Sequence, residues 1–322
     1  WAALVAAEEG VPFVDLNEIS GHKLDTYSHW KEKYHFYGDH IHTSYGGAQM
    51  NARSAAEGIM ASRNPDLKPL QAMMTGVALP VWPVERRKGK PVVWITGDST
   101  VKNKDSEKDG MWGWGALAAT VFDTTKCTPY NAAMAGRSTR SYIREGRWEK
   151  VYNALQPGDF VLIEFGHNDI CPIDDKKERG VIPGTGDTCH VYRMENGGRY
   201  ELVYSFGWYL KKMIDDTREK GATPILVSLT TRNEWPGGHV ERRNDSYGKW
   251  YREVVADTGC EFVDAHNLIA DYLDKHYKGK ESAAKYFNHD HTHTSYTGAK
   301  NNAKMIAKGI KLIKSPLAKY LK

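Results

Sequence analysis

From residue 91 onward, short apolar runs recur at the spacing of a strand–helix alternation, and this rhythm restricts the fold more than any other feature of the chain. PVVWITG (91–97), DFVLIEFG (159–166), TPILVSLTT (223–231) and EFVDA (261–265) are each long enough for one strand, largely apolar, and followed by Gly, Asp, Asn or Thr. Strands without polar alternation are those buried on both faces, the condition of a parallel sheet between two helix layers. TPYNAAMAG (128–136) reads as a weaker strand and loop. The intervening spacing predicts helices over 139–155, 203–220, 246–259 and 295–314, with Tyr142, Ile143, Val151 and Leu155 as core positions of the first. The expected fold is α/β, a three-layer α/β/α sandwich on a parallel sheet. In such sheets functional residues collect in the loops at the carboxyl ends of the strands.

Those loops hold a coherent set of groups. The first strand ends in Gly97-Asp98-Ser99-Thr100, the second leads to Gly136 in AGRSTRS, the third ends in Gly166-His167-Asn168-Asp169, and Asp290-His291-Thr292-His293 follows the last strand. A serine hydroxyl becomes a nucleophile when a base removes its proton. His293 suits that base, and Asp290 could hold its imidazole in the required tautomer. The backbone N–H groups of Ser99 and Gly136 and the side-chain amide of Asn168 suit an oxyanion hole. Taken singly, each block has a plainer reading: a turn with a helix cap for GDS, a positive-φ turn for Gly136, a helix cap for GHND, and a metal site for DHTHT. The combination, in this order and on these exits, favours ester chemistry.

A second feature is a repeat. GDHIHTSYGGAQMNA (38–52) and HDHTHTSYTGAKNNA (289–303) are near copies, with Asp39 and His42 at the positions of Asp290 and His293, a shift of 251. PFVDLNEIS (12–20) likewise resembles EFVDAHNLI (261–269) at a shift of 249, and Trp1 and Gly10 pair with Trp250 and Gly259. Residues 1–60 thus repeat 250–310 as helix, short strand, helical connection, DxxH loop and helix, the ending of a domain. No GDS or GHND precedes this copy, so Asp39 and His42 form an orphan dyad. The expected division is 1–60 as the C-terminal portion of a preceding similar domain, 61–90 as a linker, and 91–322 as a complete domain. A piece cut from a tandem protein, a retained remnant, or an element swapped in a homodimer would each produce this pattern. Sixty residues bury too little apolar surface to stand alone, so the piece is expected to dock on something.

Composition excludes several classes. With 40% hydrophobic and 26% charged residues, the chain can build a core. A net charge of +4 without a dense basic run speaks against nucleic-acid binding, and VERRKGK (84–90) reads as a solvated linker. No apolar run reaches about 18 residues, so no membrane span is expected. The chain starts at Trp1 without a signal peptide, as a mature form, a trimmed chain or a gene fragment would. Cys127, Cys171, Cys189 and Cys260 form no CxxC; Cys171 and Cys189 flank a loop that a disulfide could staple.

The four blocks GDST (97–100), Gly136 in AGRSTRS, GHND (166–169) and DHTHTS (290–295) resemble those of the SGNH hydrolase superfamily, also called GDSL esterases. Thr-Val in place of Leu after the opening serine, together with AGRSTRS, resembles the rhamnogalacturonan acetylesterase branch, carbohydrate esterase family twelve. The resemblance covers residues 91–322. It implies the SGNH hydrolase fold, Ser99 as nucleophile, His293 as base, Asp290 as its partner, and Ser99, Gly136 and Asn168 as oxyanion donors. It also implies that no cofactor or metal is used, that acetyl groups are removed from plant-wall polysaccharide or oligosaccharide, and that the protein is secreted or periplasmic. On the substrate side, Trp112, Trp114 and Trp235 fall in strand-end loops where aromatic faces suit sugar rings, though they could equally fill core space. His167 is a further candidate contact. Arg137 and Arg140 could meet an acidic polymer or form salt bridges on the following helix. The long insertion at 171–199 is expected to form a rim or lid. Deacetylation of xylan or small acetyl sugars, lipid or thioester hydrolysis, and a non-catalytic carbohydrate-binding relic are the competing expectations; the Trp/Arg/Gly loops disfavour the lipid reading, and the intact Ser99, Asn168, Asp290 and His293 disfavour the relic.

Overall fold

The structure, a computed structural model, describes the chain except residues 26–34, 37, 38, 40, 77, 78, 106–109, 175, 196, 197 and 199. It divides into two compact units, Trp1–Val81 and Trp82–Lys322.

The first unit holds helices α1 (Ala2–Glu8), α2 (Leu16–Leu24), α3 (Tyr45–Ala61) and the short α4 (Lys68–Met73). Asp15 caps α2 by accepting from the Glu18 N–H at 3.0 Å, and Ser44 caps α3 by accepting from Gly47 at 3.2 Å. Helices α2 and α3 pack together and are tied by Lys23, whose ammonium reaches Glu57 at 2.7 Å and Ser54 at 2.9 Å. The strand expected at 12–14 is not formed. A strand exists only through its neighbour, and among the described residues of this unit no second strand is present to pair with it.

The second unit is the expected sandwich. Strands β1 (Val92–Gly97), β2 (Thr128–Asn131), β3 (Phe160–Glu164), β6 (Thr223–Val227) and β7 (Glu261–Val263) form one parallel sheet in the order β2-β1-β3-β6-β7. Strands β4 (Cys189–Arg193) and β5 (Tyr200–Tyr204) form a separate antiparallel hairpin. Side chains alternate between two cores. Val93, Ile95, Phe160, Leu162, Ile225 and Val227 pack on one face against α10 (Ala265–His276) and α11 (Tyr296–Leu312). Val92, Trp94, Val161, Ile163 and Leu226 pack on the other against α6 (Thr139–Arg144), α7 (Arg147–Ala154), α8 (Phe206–Glu219) and α9 (Tyr247–Thr258). This is why β1 and β3 carry no polar alternation: neither face meets water.

The basic stretch 84–90 is not a solvated linker. Arg86 forms a two-pronged ion pair with Asp159 at 3.1 and 2.6 Å and donates to the Ala154 carbonyl, while Arg87 binds the carbonyls of Thr124 and Cys127. Asp159 is buried and also accepts from the Val92 N–H at 2.9 Å and from the Trp94 indole at 3.2 Å. In a sequence, lysines and arginines beside glycine look solvated until a buried acid is known to face them. Removing the carboxylate leaves the Val92 N–H and the Trp94 indole unpaired and the Arg86 guanidinium without its counter-charge. Asp159→Ala should therefore cost about 3–5 kcal/mol in urea unfolding, the range for breaking one side of a buried ion pair. A loss under about 1 kcal/mol would show that solvent replaces the carboxylate.

Candidate active site

The sheet's carboxyl edge assembles the four blocks. Ser99 begins a four-residue helix, α5 (Ser99–Lys102), immediately after β1. Asp98 caps this helix, accepting from the Thr100 N–H at 2.9 Å and its hydroxyl at 2.8 Å. Glycine is required at 97 because a Cβ there would press on Val101 and on the Glu164 carbonyl. Ser99 Oγ lies 2.8 Å from His293 Nε2, across 194 positions of sequence. His293 Nδ1 lies 2.6 Å from Asp290 Oδ2, and the other Asp290 oxygen accepts from the N–H groups of Thr292 and His293, both at 2.7 Å. Burial pushes the Asp290 carboxyl up, but these hydrogen bonds and the histidine outweigh it and hold the group below the usual carboxylate range. Asp290 thus remains an anion, able to fix Nδ1–H and leave Nε2 facing the serine.

The histidine loop is fastened on both sides. Trp112 and Phe287 each pair antiparallel with Thr294, the Thr294 hydroxyl donates to the Trp112 carbonyl at 2.7 Å, and the Asn233 N–H donates to the His291 carbonyl at 2.7 Å. Trp112 is therefore a clamp: its ring is buried edge-on to Tyr296, with centroids 5.1 Å apart. It is not the sugar platform its position suggested. Trp114 is a second correction. It is fully buried, its indole donates to Glu164 at 2.5 Å, and it packs in the core below the site. Trp235 is half-buried against the same core and donates to the Asn233 side chain at 2.8 Å. A sequence reveals that tryptophans stand in loops, but a buried carboxylate or a packing partner decides which way each turns.

Gly136 has φ +75°, a left-handed conformation that glycine adopts without strain. Neither its N–H nor that of Ser99 has an acceptor among the described residues. Asn168 is oriented at both ends: its Nδ2 donates to the Arg137 carbonyl at 3.2 Å, and its Oδ1 accepts from Arg179 at 2.6 Å. Asp169 ties this block to the preceding one, accepting from the Thr139 N–H at 3.0 Å and hydroxyl at 2.5 Å. The Arg137 guanidinium pairs with Glu145 at 3.0 Å. Arg140 is buried and paired with Glu201 of the hairpin at 2.7 Å, so its salt bridge crosses to the insertion instead of lying along its own helix. His167 is buried with Nε2 3.2 Å from the Thr230 hydroxyl. Burial, aided by Arg232 and Arg243, lowers its pKa well below the usual histidine value, so it is neutral. Asp39 and His42 belong to the first unit.

The insertion is clamped, and not by a disulfide. All four cysteines are free. Cys189 is held in the hairpin opposite Tyr204, and backbone bonds from Gly180 to Pro172 and from Val181 to Asp169 close the loop that a Cys171–Cys189 bridge was expected to staple. Arg144 reaches both Glu178 at 2.9 Å and Glu201 at 3.3 Å. Glu178 has a left-handed φ of +47°, a strained conformation for a residue with a side chain. It directly precedes Arg179, the residue that holds Asn168. Sequence reasoning missed Arg179 because no motif marks it.

Below the nucleophile sits Glu164, at the end of β3. It is fully buried, accepts from the Trp114 indole and from the Thr230 N–H at 3.4 Å, and meets the Thr100 hydroxyl oxygen at 3.1 Å. Burial first, then the nearby Asp98 carboxylate, pushes its pKa to about 8; burial pushes Asp169 to about 7.

Residues 95–300 match the GDSL-like Lipase/Acylhydrolase family, which is well over half of the chain. The chain belongs to that family and is an ester hydrolase. It is 32% identical to the rhamnogalacturonan acetylesterase of Emericella nidulans over 64% of this chain and 79% of that protein. It is 28% identical to the probable rhamnogalacturonan acetylesterase YesY of Bacillus subtilis over 71% of this chain and 96% of that protein. Among solved structures, protein YxiM of Bacillus subtilis shares the fold with a TM-score of 0.56 and 20% identity; the match covers 70% of this chain and 58% of YxiM.

Two predictions follow from the site's supports. A carboxyl whose folded pKa exceeds its unfolded value stays protonated in the folded protein while the unfolded chain has released its proton. Its contribution to stability is whole below the unfolded value and is lost as pH rises through the folded one. Unfolding free energy should therefore decline between about pH 4.5 and 8, and Glu164→Gln should flatten that decline, as read by urea melts across the range. An unchanged slope would remove Glu164 from the account. For Arg179, Ala should lower kcat with KM nearly unchanged, by up to the roughly 100–1000-fold typical of losing an oxyanion donor, and Lys should restore part of it. A pure KM effect would make Arg179 a substrate contact instead.

Proposed function

We propose that this protein is a serine carbohydrate esterase that removes acetyl groups from pectic rhamnogalacturonan. The observation that carries the catalytic part is the continuous chain of bonds from Ser99 through His293 to Asp290. In the first half-reaction Ser99 Oγ bonds to the acetyl carbonyl carbon while His293 Nε2 takes the hydroxyl proton. The resulting oxyanion accepts from the Ser99 and Gly136 N–H groups and from the Asn168 amide. Its collapse breaks the ester bond, and His293 protonates the departing sugar oxygen. Water then attacks the acetyl-serine by the same route, releasing acetate and restoring Ser99. The imidazolium formed midway is stabilised by the Asp290 anion.

The substrate class is supported by the names of the relatives, three of which carry rhamnogalacturonan acetylesterase in their titles. One feature of the site agrees with an acidic polymer. Arg232 lies on the loop after β6, between Thr230, which contacts His167, and Asn233, which holds the histidine loop. It forms no ion pair among the described residues, and its Nε is buried without an acceptor. Burial and the neighbouring Arg243 guanidinium hold its pKa below the usual arginine value. A galacturonate carboxylate would relieve that unbalanced charge.

The test is acetate release from acetylated rhamnogalacturonan, acetylated xylan and a small activated acetyl ester. Ser99→Ala should reduce all three by on the order of 10⁴-fold or more. Arg232→Ala should raise KM for the rhamnogalacturonan substrate and leave the small ester untouched. Equal or faster turnover of xylan, insensitive to Arg232, would replace the pectic reading with a neutral-sugar one. Activity surviving in Ser99→Ala would end the nucleophile assignment.

A further inference from the structure

The first unit reproduces the ending of the second down to individual hydrogen bonds. Asp39 accepts from the Ile41 and His42 N–H groups at 2.9 and 2.6 Å, and its other oxygen lies 2.6 Å from His42 Nδ1. This is the pattern of Asp290 with Thr292 and His293. Phe36 pairs with Thr43 as Phe287 pairs with Thr294. Ser44 and Ser295 cap the following helices in the same way, and each is bonded back through its N–H, to His35 and Tyr286 respectively. A Cβ at Gly47 would overlap the His35 carbonyl, and one at Gly298 the Tyr286 carbonyl. Gly58 abuts Val14 as Gly309 abuts Val263. The half-site is therefore already folded, with the imidazole held by its acid, yet the His42 side chain is 76% exposed against 24% for His293.

What is missing is what covers it. In the second unit, β7 is paired along its length with β6, register Leu226 to Phe262, and the helix before it is sealed in the core. At the equivalent places the first unit is bare. Val5 is 55% exposed where Val254 is fully buried, and Val11 is 53% exposed where Cys260 is 4% exposed; Phe13 and Leu16 are also open. The backbone of 12–14 has no strand beside it among the described residues. A second copy of this chain could offer the equivalent neighbour, its β6, only by displacing its own β7, because β6 is already occupied on that side.

We propose that residues 1–61 are the closing part of a second esterase domain, whose remaining α/β core, with its own serine after a β1-like strand, lies in polypeptide N-terminal to Trp1. That core would place a β6-like strand parallel to 12–14 and a serine Oγ at His42 Nε2. His42 takes the serine proton as Oγ adds to an ester carbonyl and returns it to the leaving alcohol oxygen; water then frees the acid. Asp39 holds the imidazole. The protein would then carry two ester-hydrolysing centres in series. The inference rests on the catalytic reading of the Ser99 site but not on its polysaccharide.

The test uses the chain together with the polypeptide encoded immediately upstream of Trp1 in its reading frame, labelled with a fluorophosphonate. The reagent forms a serine–phosphorus bond with loss of fluoride and proton, and it reports active serines whatever the natural substrate. Two labels per extended chain are expected and one per 322-residue chain. Ser99→Ala should leave one label on the extended chain, and adding His42→Ala should remove it. Amide hydrogen exchange at Phe13 and Val14 should be fast in the 322-residue chain and slowed in the extended one. A single label abolished by Ser99→Ala, an upstream frame that encodes no such core, or slow exchange at 12–14 caused by dimerisation of the 322-residue chain would each overturn the proposal. Failure of rhamnogalacturonan as substrate would leave the label count unaffected.

Discussion

Three segments remote from one another in sequence converge through hydrogen bonds on a single carboxyl group, that of Glu164, and the geometry of the catalytic edge depends on that convergence. Thr100 sits one residue past the nucleophile, Trp114 anchors the segment that leads from it, and Thr230 opens the loop beneath the histidine. A carboxylate in an apolar interior is costly, and the cost falls when the group keeps its proton. Burial, with Asp98 close by, lets protonation of Glu164 persist to about pH 8. The hub therefore holds three loops together without adding a full negative charge beneath the place where the substrate's oxyanion forms. An apolar side chain in its place would leave the Trp114 indole and the Thr230 N–H unpaired, so the polar hub cannot simply be replaced by packing.

Much of this was legible beforehand, and the reasons differ by feature. Runs such as VVWITG and FVLIE announce a sheet buried on both faces, because only that environment tolerates consecutive apolar residues in a strand. Ser99, His293 and Asp290 could be read because each follows a strand and because Asp and His three apart can chelate one another locally. Arg179, Glu164 and Asp159 could not. Their roles come from partners 11, 50 and 73 positions away, fixed by the tertiary fold alone. The same limit explains the tryptophans: a ring in a loop is as ready to seal a core as to face a sugar, and Trp114 is turned inward by Glu164.

The insertion between β3 and α8 illustrates how charge can do the work expected of a disulfide. Arg140 and Arg144 rise from the helix that follows Gly136 and grip Glu178, ahead of the hairpin, and Glu201, within its second strand. All four side chains are at most 13% exposed, so these bonds are screened little by salt. The clamp also supports the strained Glu178 backbone, which aims the next residue at Asn168. The rim of the site and the orientation of its amide donor are thus one mechanical unit.

The fastening of Thr294 to Trp112 spans 182 positions of sequence and closes the domain on itself. A chain made from its amino end therefore displays Ser99 long before the base that activates it exists. The nucleophile stays a plain alcohol until the final helix has been synthesised and laid against the sheet. Competence to cut esters is consequently acquired late in the domain's manufacture, after most of the sheet has been made.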